Sequence, residues 1–292
     1  MSISEHNLSI IIVTIKSEQI IDRCLKSINN NNIPIIVVEN SSNLNFIKQL
    51  ESKYKNIKCI LSNKNLGMGS GNNLGIKEAQ TDYVFIINPD VILEKNTLKE
   101  IFEASKSIKD FSILSPISSD TKNKNYGYFK NKIKDSETSK PFKVDWVDGC
   151  TMLLNKRKLG KEVYFDENFF MYLESTDLCI RANNQGGSIF VVPDAKMEHK
   201  GASTVDSKYK EEIEYSRNWH WIWSKFYFSK KHFGIFKAIR QGILASFFSY
   251  FKSFFYFLVN NKEKKKIYYN RASGFYNALL GKSSWYRPKL DD

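Results

Sequence analysis

Four side chains in this sequence are of types that hold metal ions or move protons, and two of them follow apolar segments. Asp90 ends the run DYVFIINPD (82–90), and His199 follows an apolar segment at 188–193. A carboxylate at the end of a buried strand is a hard oxygen ligand, suited to Mg²⁺ or Mn²⁺ when phosphates and water complete the shell. An imidazole can add a nitrogen ligand. In the alternative interpretation Asp90 starts a turn or caps a helix, and His199 is structural.

The other two side chains, Glu174 and Asp177, lie at the start of a helix predicted over 174–185. Residues three apart on a helix are neighbours, so both carboxylates can face one cleft. One of them can act as a general base, and the other can orient it or bind a second substrate. The preceding aromatic run, FDENFFMY (165–172), is typical of a wall that shields a base from water. Alternatively, the carboxylates only stabilise the first turn of the helix electrostatically.

The elements around these residues predict an open α/β sheet. Continuous apolar runs predict buried strands at 8–14, 33–40, 57–62 and 82–90. Helical patterns are found at 20–28, 43–53, 73–80 and 96–106, and strand-like segments return at 144–155 and 188–193. This alternation predicts a doubly wound, mostly parallel sheet with helices on both faces, in which ligands bind beyond the carboxyl ends of the strands. The polar segment 119–140 predicts a loop, either mobile over a site or simply solvated.

Polar residues follow each of the first four strands, at the edge where a ligand would bind. The strand ends carry Thr14, Lys16, Glu39, Asn40 and Asn88, and the turn NKNLGMGSGNN (63–73) follows the third strand. The glycines of that turn, Gly67 and Gly71 among them, would let the backbone approach a ligand closely. A dinucleotide fingerprint would place its glycines directly after the first strand, so nicotinamide or flavin binding is disfavoured.

Charge is concentrated at one end of the chain. The 292 residues carry a formal charge of +13, and residues 225–292, with 14 Lys and Arg against 3 Asp and Glu, account for +11. A nearly neutral remainder argues against a nucleic-acid-binding protein, and a basic tail predicts contact with something anionic. Four scattered cysteines without C-x-x-C spacing predict buried free thiols in a reducing compartment. We find no signal-peptide pattern and no run of membrane-spanning length, and we therefore expect a cytoplasmic protein.

The basic tail is also dense in aromatic residues between positions 219 and 259. One helical stripe consists of Phe247, Phe251, Phe254, Phe255 and Leu258, and another side carries Ser246, Ser249, Lys252 and Ser253. Together with flanking basic residues, including the charge run KEKKK (262–266), this pattern predicts a pair of helices lying on an anionic membrane surface. The alternative is a helical layer that packs on the enzyme itself or on a second copy of the chain.

Taken in order, these segments resemble the family 2 glycosyltransferases, specifically the rhamnosyltransferase-like branch that builds bacterial surface polysaccharides. The similarity spans roughly residues 8–235. It is carried by SIIIVTIKSEQIIDRCLKSI, IIVVENSSN, NLGMGSGNNLGIKEA (65–79), INPDV (87–91), VDWVDGCTMLL (144–154), FDENFFMYLESTDLCIR (165–181) and PDAKMEHKGAST (193–204). The resemblance implies a GT-A catalytic domain over 1–215, with a donor-binding half at about 1–110 and an acceptor half at about 140–215, and a helical tail over 216–292.

The resemblance also implies roles for individual residues. On the donor side it implies Thr14, Lys16, Glu39, Asn40, Asn65, Gly67, Gly71, Asn72 and Asn88. On the acceptor side it implies Trp146, Asp148 and Gly149, and it assigns Asp90 and His199 to a divalent cation, Mg²⁺ or Mn²⁺. In much of the family the base element reads E-D-x-D, with the second residue as base, whereas Ser175 stands there in this chain. Either Glu174 or Asp177 therefore takes the role, or activity is weak or absent.

The implied reaction is the inverting transfer of a sugar from a nucleotide-diphosphate sugar to a lipid-linked or polysaccharide acceptor. Deoxythymidine-diphosphate rhamnose is one donor that the branch suggests. The implied location is the inner face of the cytoplasmic membrane, with no nucleic-acid partner and with the tail helices as a contact to membrane or to a second copy of the chain. Two alternatives remain: a catalytically silent nucleotide-sugar-binding homologue, motivated by Ser175, and a nucleotidyltransferase. The opening VTIKSEQ lacks the glycine-rich loop of the latter class.

Overall fold

The chain divides into two compact units. The computed structural model describes residues 2–108, 110–129, 140–160, 164–199 and 207–290. The first unit comprises residues 1–165 and 175–204, and the second comprises 166–174 and 205–292. The second unit thus begins before the predicted tail and also includes a short segment from the middle of the chain. Of the predicted loop at 119–140, residues 130–139 lie outside the described residues.

The first unit is built on a mixed β-sheet. Its described strands, in chain order, are β1 (Leu8–Thr14), β2 (Ile35–Glu39), β3 (Ile57–Leu61), β4 (Tyr83–Ile87), β5 (Val91–Leu93), β6 (Ile113–Ser118), β7 (Tyr126–Gly127), β8 (Phe142–Val144), β9 (Trp146–Val147), β10 (Thr151–Asn155) and β11 (Ile189–His199). The order in the large sheet is β3-β2-β1-β4-β10-β6-β11-β5, with β8 also paired with β11, and β7 pairs with β9 separately.

Most strands of the large sheet run in the same direction. β1 to β4 run parallel, as predicted for the donor half, and their carboxyl ends therefore share one edge. β10 is antiparallel to both β4 and β6, and β11 is parallel to β6 but antiparallel to β5 and β8. β1 to β4, β6 and β11 therefore share one direction and β5, β8 and β10 oppose it, so the sheet is mostly parallel, as predicted.

Helices cover both faces of this sheet, as predicted. The described helices of the first unit are α1 (Ile21–Ile28), α2 (Leu44–Lys53), α3 (Gly67–Glu78), α4 (Thr97–Ser107), α5 (Lys156–Leu159) and α6 (Glu174–Asn184), of which only the first residue, Glu174, belongs to the second unit. Because successive residues of a strand point to opposite faces, Ile10 and Ile12 of β1 pack with α1, α2 and α4, whereas Ile11 and Val13 pack with α3 and α6. The two apolar layers account for the continuous hydrophobic runs.

Helix α3 begins earlier than its sequence predicts. The glycine-rich stretch 65–73 predicts a turn followed by a helix at 73–80, because glycine is a poor helix former. That prediction is wrong: the helix starts at Gly67. A Cβ atom at Gly71 would lie 2.9 Å from Val13 Cγ1, and one at Gly75 would lie 2.6 Å from Ile11 Cγ2. The glycines therefore let α3 lie directly on the sheet, and this packing outweighs their low helix propensity.

The sequence predicts that all four cysteines are buried free thiols, and three of the four are. Cys24, Cys150 and Cys179 are free and buried. Cys59 is free but only half-buried, because it lies on β3 at the edge of the sheet. The prediction that every thiol is buried is therefore wrong at Cys59.

The second unit is a bundle of three described helices, α7 (Lys210–Phe233), α8 (Ile235–Leu258) and α9 (Lys262–Leu279). Trp219, Trp223, Phe226 and Phe275 form its apolar core. The sequence predicts only two helices here and a solvated charge run at 262–266. That run is instead the first turn of α9, capped by the side chain of Asn261, which accepts a hydrogen bond from the Lys264 backbone N–H at 3.0 Å.

Helix α8 turns its small polar residues inward and its aromatic residues outward. Ser246, Ser249 and Ser253 are buried. Phe247, Phe251 and Phe254 are 65%, 67% and 56% exposed, in line with the predicted stripe. In the part of the chain that the structure describes, no helix combines the length and apolarity needed to span a bilayer.

Candidate active site

Asp90 and His199 lie side by side at the edge of the sheet. Asp90 is in the short turn between β4 and β5, and His199 is the last residue of β11. β11 pairs with β5 in a register that sets His199 opposite Val91, the residue after Asp90. The His199 Nε2 atom is 3.4 Å from Asp90 Oδ1. Strand pairing thus brings together the two residues that the sequence assigns to a metal ion.

The environment of this pair is short of hydrogen-bond donors. Asp90 is only 8% exposed, and neither carboxylate oxygen accepts a hydrogen bond from a described residue. At 3.4 Å the contact with His199 is longer than a good N–H···O bond, so its attraction is mainly coulombic. The pKa of His199 is raised to about 10, because the carboxylate of Asp90 and, next, the thiol of Cys150 stabilise the protonated ring. A buried carboxylate without bonded partners favours a cation beside it.

Asp148 is a third ionisable group near this pair. Its side chain is exposed, but surrounding protein atoms partly desolvate it and raise the pKa of its carboxyl group, against the lowering effect of the nearby His199. Its backbone N–H donates to the Asn125 carbonyl oxygen at 2.8 Å, which fixes the turn that carries it. Asp148 therefore adds a carboxylate to the neighbourhood of His199.

Asp90 and His199 are suited to a divalent cation that takes most of its ligands from a bound substrate. The described residues contain no group of three or more His, Cys, Asp and Glu side chains arranged as a metal site. Asp90 and His199 would supply one oxygen and one nitrogen ligand. Mg²⁺ and Mn²⁺ beside a diphosphate take few protein ligands and fill their shell with phosphate oxygens and water. The unbonded oxygens of Asp90 are suited to that role.

Two predicted donor-side residues, Glu39 and Asn40, use their side chains to shape the sheet edge at the end of β2. The buried Glu39 carboxylate accepts hydrogen bonds from the Ser41 and Asn43 backbone N–H groups at 2.8 and 2.7 Å, and also from the Ser41 hydroxyl. Asn40 donates through Nδ2 to the Gly67 carbonyl at 3.1 Å and accepts from the hydroxyl of Ser62 at 3.0 Å. These bonds link the end of β2 to the starts of α2 and α3.

Three further residues that the sequence assigns to the donor side stabilise neighbouring turns, two through the backbone and one through its side chain. The carbonyl of the buried Thr14 accepts a bond from the Asn40 N–H at 2.8 Å. Lys16 has a left-handed φ of +46°, and its N–H donates to the Ser41 hydroxyl at 3.3 Å. The Asn65 side chain accepts from the N–H of Gly67 at 3.1 Å at the start of α3. The first two strand ends are thereby joined to each other.

Two predicted donor-side amides carry buried oxygens that no described residue bonds. Asn72 lies on α3 directly after Gly71, and Asn88 follows β4. The Oδ1 atoms of both side chains are buried without a hydrogen-bond partner in the described part of the chain. Buried acceptors are normally satisfied, so such atoms mark positions where a ligand can supply the donor.

The acceptor-side segment packs against the start of α6. Trp146 on β9 packs its indole ring against Gly127 of β7. Gly149 faces Ser175, and a Cβ atom placed at Gly149 would lie 3.2 Å from the Ser175 Cβ. The glycine therefore permits close approach between the turn at 148–150 and the residue that replaces the usual base of the family.

Asp177 forms an ion pair inside the fold. It is fully buried, and its Oδ2 atom accepts a hydrogen bond from Arg181 Nε at 2.7 Å, four residues along α6. Arg181 also donates to the Tyr164 carbonyl. A carboxylate that is paired with a guanidinium and closed to solvent is poorly placed to take a proton from a substrate. The arrangement instead joins α6 to the segment before it.

Glu174 is the first residue of α6 and is half-buried. The two residues before it, Tyr172 and Leu173, have φ angles of +71° and +67°. Non-glycine residues in this region cost about 1–3 kcal/mol each, so surrounding contacts must hold them. One such contact is the bond from Arg217 Nε to the Tyr172 hydroxyl at 2.8 Å. Arg217 could not be predicted from the sequence, because it lies 45 residues away and in no recognisable motif.

The mixed sheet with helices on both faces has the architecture of the GT-A fold of glycosyltransferases. A similar solved structure is mannosyltransferase PcManGT from Pyrobaculum calidifontis in complex with GDP-Man and Mn²⁺, with a TM-score of 0.57, 11% identity and coverage of 95% of this chain and 88% of that one. The fold predicted from the sequence is therefore confirmed.

The model of glycosyl transferase family 2 matches residues 9–175, more than half of the chain, and the chain belongs to this family. Rhamnosyltransferase WbbL of Escherichia coli K12 is 29% identical over 63% of this chain and 80% of its own length. The N-acetylglucosaminyl-diphospho-decaprenol L-rhamnosyltransferase of Mycobacterium tuberculosis is 22% identical over 59% of this chain and 68% of its own length. The predicted family and its rhamnosyltransferase-like character are confirmed, and the protein is a glycosyltransferase.

Proposed function

We propose that this glycosyltransferase moves a sugar, rhamnose being the first candidate, from a nucleoside diphosphate to a lipid-linked glycan at the inner face of the cytoplasmic membrane. The observation that carries the proposal is the buried, unbonded carboxylate of Asp90 beside His199, at the carboxyl edge of a parallel sheet. The names of the two relatives support rhamnose as donor sugar. The name of the mycobacterial relative supports a diphospho-polyprenol acceptor.

On the donor side, Asp90 and His199 would hold Mg²⁺ or Mn²⁺. Such a cation supplies positive charge that stabilises the diphosphate as a leaving group. The unbonded Oδ1 atoms of Asn72 and Asn88 are acceptors for hydroxyl or amide hydrogens of the nucleotide-sugar. The bonds of Glu39 and Asn40 hold the nearby turns rigid, and rigid turns keep a donor in position for attack.

On the acceptor side, we assign the general base to Glu174. Its carboxylate takes the proton of the acceptor hydroxyl while that oxygen bonds to the anomeric carbon and the bond from this carbon to the diphosphate oxygen breaks. A single displacement of this kind occurs from the opposite face and inverts the anomeric configuration. Asp177 is unsuited because it is buried and paired with Arg181. Ser175 is not a base near neutral pH, because its hydroxyl does not ionise there.

The second unit, residues 166–174 and 205–292, is called the helical unit below. It would bring the enzyme to its lipid-linked acceptor. The outward aromatic face of α8 and the cationic residues around it are suited to the interface of a membrane that contains anionic lipids. A second copy of the chain is the alternative partner for this face. Contact with the membrane is favoured because the face adjoins a strongly basic segment, whose 14 Lys and Arg residues oppose 3 acidic ones.

The test is a donor panel with membrane extract as acceptor, run on the full chain with Mn²⁺ or with a chelator. We expect one donor to transfer its sugar to the lipid fraction, the product to have the inverted configuration, and the chelator to abolish turnover. Asp90→Asn and Glu174→Gln should each lose transfer, while Glu103→Gln, a change at an exposed residue of α4, should not. Full turnover with the chelator would exclude the metal, and a retained configuration would exclude single displacement.

A catalytically silent nucleotide-sugar-binding protein is the second candidate, favoured by Ser175 in place of the usual acidic residue. The variant Ser175→Asp distinguishes the two. If Glu174 is the base, the substitution adds a carboxylate to a buried, crowded position beside Gly149 and should lower transfer. If the chain has lost its base, the same substitution should raise transfer from a background of donor binding without turnover.

A further inference from the structure

The segment Asp166–Leu173, which we call the aromatic loop, precedes Glu174 and belongs to the helical unit. Its residues contact α7 one after another. Asp166 accepts bonds from Tyr227 at 3.0 Å and Lys231 at 2.6 Å. The Phe169 ring lies edge-on to Tyr227, with centroids 4.9 Å apart. The start of the loop is thus fastened to the carboxyl-terminal half of α7.

The end of the loop is fastened to the middle and the amino-terminal half of the same helix. The Ser224 hydroxyl donates to the Met171 carbonyl at 2.7 Å. Tyr172 accepts a bond from Arg217 Nε at 2.8 Å and lies edge-on to Trp221 at 5.4 Å. The loop therefore runs antiparallel to α7, and the contact with Arg217 is made at its last aromatic residue.

The chain beyond α9 covers the middle of the loop. The Ser284 hydroxyl donates to the Asn168 carbonyl at 2.6 Å. The Arg287 guanidinium lies 3.8 Å from the centre of the Phe170 ring, and this ring also lies 4.5 Å from that of His220 on α7. Both the helix and the carboxyl-terminal segment thus fix one loop, although the residues in contact are at least 45 positions apart in the sequence.

These contacts surround the point where the backbone is under strain. Tyr172 and Leu173 both have left-handed φ angles, which residues with a Cβ atom rarely adopt in succession. Glu174 follows directly as the first residue of α6. The direction of the Glu174 side chain depends on these two dihedral angles, and the Arg217–Tyr172 bond is the polar contact nearest to them along the chain.

We propose that Arg217 is a positioning residue for the general base: its bond to Tyr172 holds the aromatic loop in the strained form that sets the direction of Glu174. The role of Glu174 in this inference rests on the proposed function. The contact by which Arg217 holds the loop is independent of it. Relaxed φ angles at Tyr172 and Leu173 would move the Glu174 carboxylate, and displacement of a catalytic group by about 1 Å can cost on the order of 100-fold in rate.

The test compares Arg217→Met with a matched control, Arg271→Met, in the full chain. Arg271 also donates through Nε inside the bundle, to Asn218 at 2.6 Å, but makes no described contact with the aromatic loop. We expect Arg217→Met to lower kcat about 10- to 100-fold with the donor KM unchanged, and Tyr172→Phe to have a smaller effect of the same kind. Arg271→Met should leave both constants within about twofold of the wild-type values, because its bond lies outside the loop.

Two readouts separate positioning from general damage. In a Glu174→Gln background, Arg217→Met should cost nothing further, because there is no base left to position. Amide hydrogen exchange of residues 172–176 should accelerate in Arg217→Met and not in Arg271→Met. Unchanged exchange would overturn the proposal, and so would an equal fractional loss of kcat with and without Glu174.

Failure of the proposed function gives a different pattern. A wild-type protein that transfers no sugar, or a Glu174→Gln variant with full activity, contradicts the assignment of the base. The exchange comparison still decides in that case whether Arg217 holds the loop. Faster exchange together with unchanged kcat would overturn the positioning role while leaving the proposed function intact.

Discussion

At the scale of single residues, the Asp90–His199 pair has opposite requirements for a proton and for a metal ion. Asp90 raises the pKa of His199 to about 10, so the metal-free enzyme holds a proton on this ring at neutral pH. Below the unfolded pKa of about 6.5 this proton stabilises the metal-free fold in full, and the contribution is lost as the pH rises towards 10. A metal ion needs the neutral ring and must displace the proton.

The first prediction concerns this competition. Mn²⁺ affinity should rise with pH between about 7 and 10, by at most about tenfold per unit, because deprotonation of one imidazole limits binding. Calorimetry at pH 7.5 in buffers of different ionisation heat should report the release of about one proton. His199→Gln should bind Mn²⁺ weakly and release none. Affinity that does not change with pH in the wild type would contradict the assignment of His199 as a ligand.

The second prediction separates the two carboxylates of α6. Asp177→Asn leaves Arg181 without its buried partner and should lower the free energy of unfolding by about 3 kcal/mol, near the lower end for buried pairs since Arg181 is partly exposed. Glu174→Gln should change stability by less than about 0.5 kcal/mol but lower kcat by about 10²–10⁴-fold. Urea unfolding and steady-state kinetics measure the two quantities. A stable but inactive Asp177→Asn variant would instead favour Asp177 as the base.

At the scale of elements, what the sequence can predict depends on whether the determining contacts are local. The apolar runs of β1, β2 and β4 and the polar residues after them are local patterns, and they locate Asp90 at a strand end. The start of α3 is not determined locally. The glycines at 67–71 predict a turn, and the helix forms there because Gly71 and Gly75 can pack closely on Val13 and Ile11 of β1. The pairing of β11 with β5, which brings His199 to Asp90, also depends on distant segments.

The third prediction tests the close packing of α3. Gly75→Ala should lower the free energy of unfolding by about 1–2 kcal/mol, although alanine favours a helix by about 1 kcal/mol over glycine, because the new Cβ would lie 2.6 Å from Ile11 Cγ2. Lys77→Ala, at an exposed position of the same helix, should change stability by less than about 0.5 kcal/mol. Denaturant unfolding of both variants is the measurement. A more stable Gly75→Ala protein would mean that α3 does not lie against β1 in solution.

At the scale of the whole molecule, the helical unit has two surfaces with different chemistry. Its α7 face and carboxyl-terminal segment hold the aromatic loop, and neither contact could be predicted, since no sequence pattern links residues 166–172 to Arg217 or Ser284. Helical periodicity alone predicts that α8 has an aromatic side and a side that carries serines. What periodicity could not decide was which side of α8 would be buried, and the inward serines make the aromatic side the exposed one.

The fourth prediction tests whether this exposed face binds lipid. The triple variant F247S/F251S/F254S removes three rings that are more than half exposed, and we expect it to fold normally but bind vesicles at least tenfold more weakly. Wild-type binding should require anionic lipid and weaken with salt, because the flanking lysines are attracted to the surface charge. Co-sedimentation with vesicles of anionic or purely zwitterionic lipid is the measurement.

Two controls decide between lipid and a second copy of the chain. Phe129→Ser removes an exposed ring from the first unit and should leave vesicle binding unchanged, which isolates the effect of α8 from general loss of apolar surface. Sedimentation velocity without lipid should find the wild type and the triple variant equally monomeric. A wild-type dimer that the triple variant dissociates, together with no binding to anionic vesicles, would mean that the aromatic face of α8 joins two subunits and that the acceptor reaches the enzyme by another route.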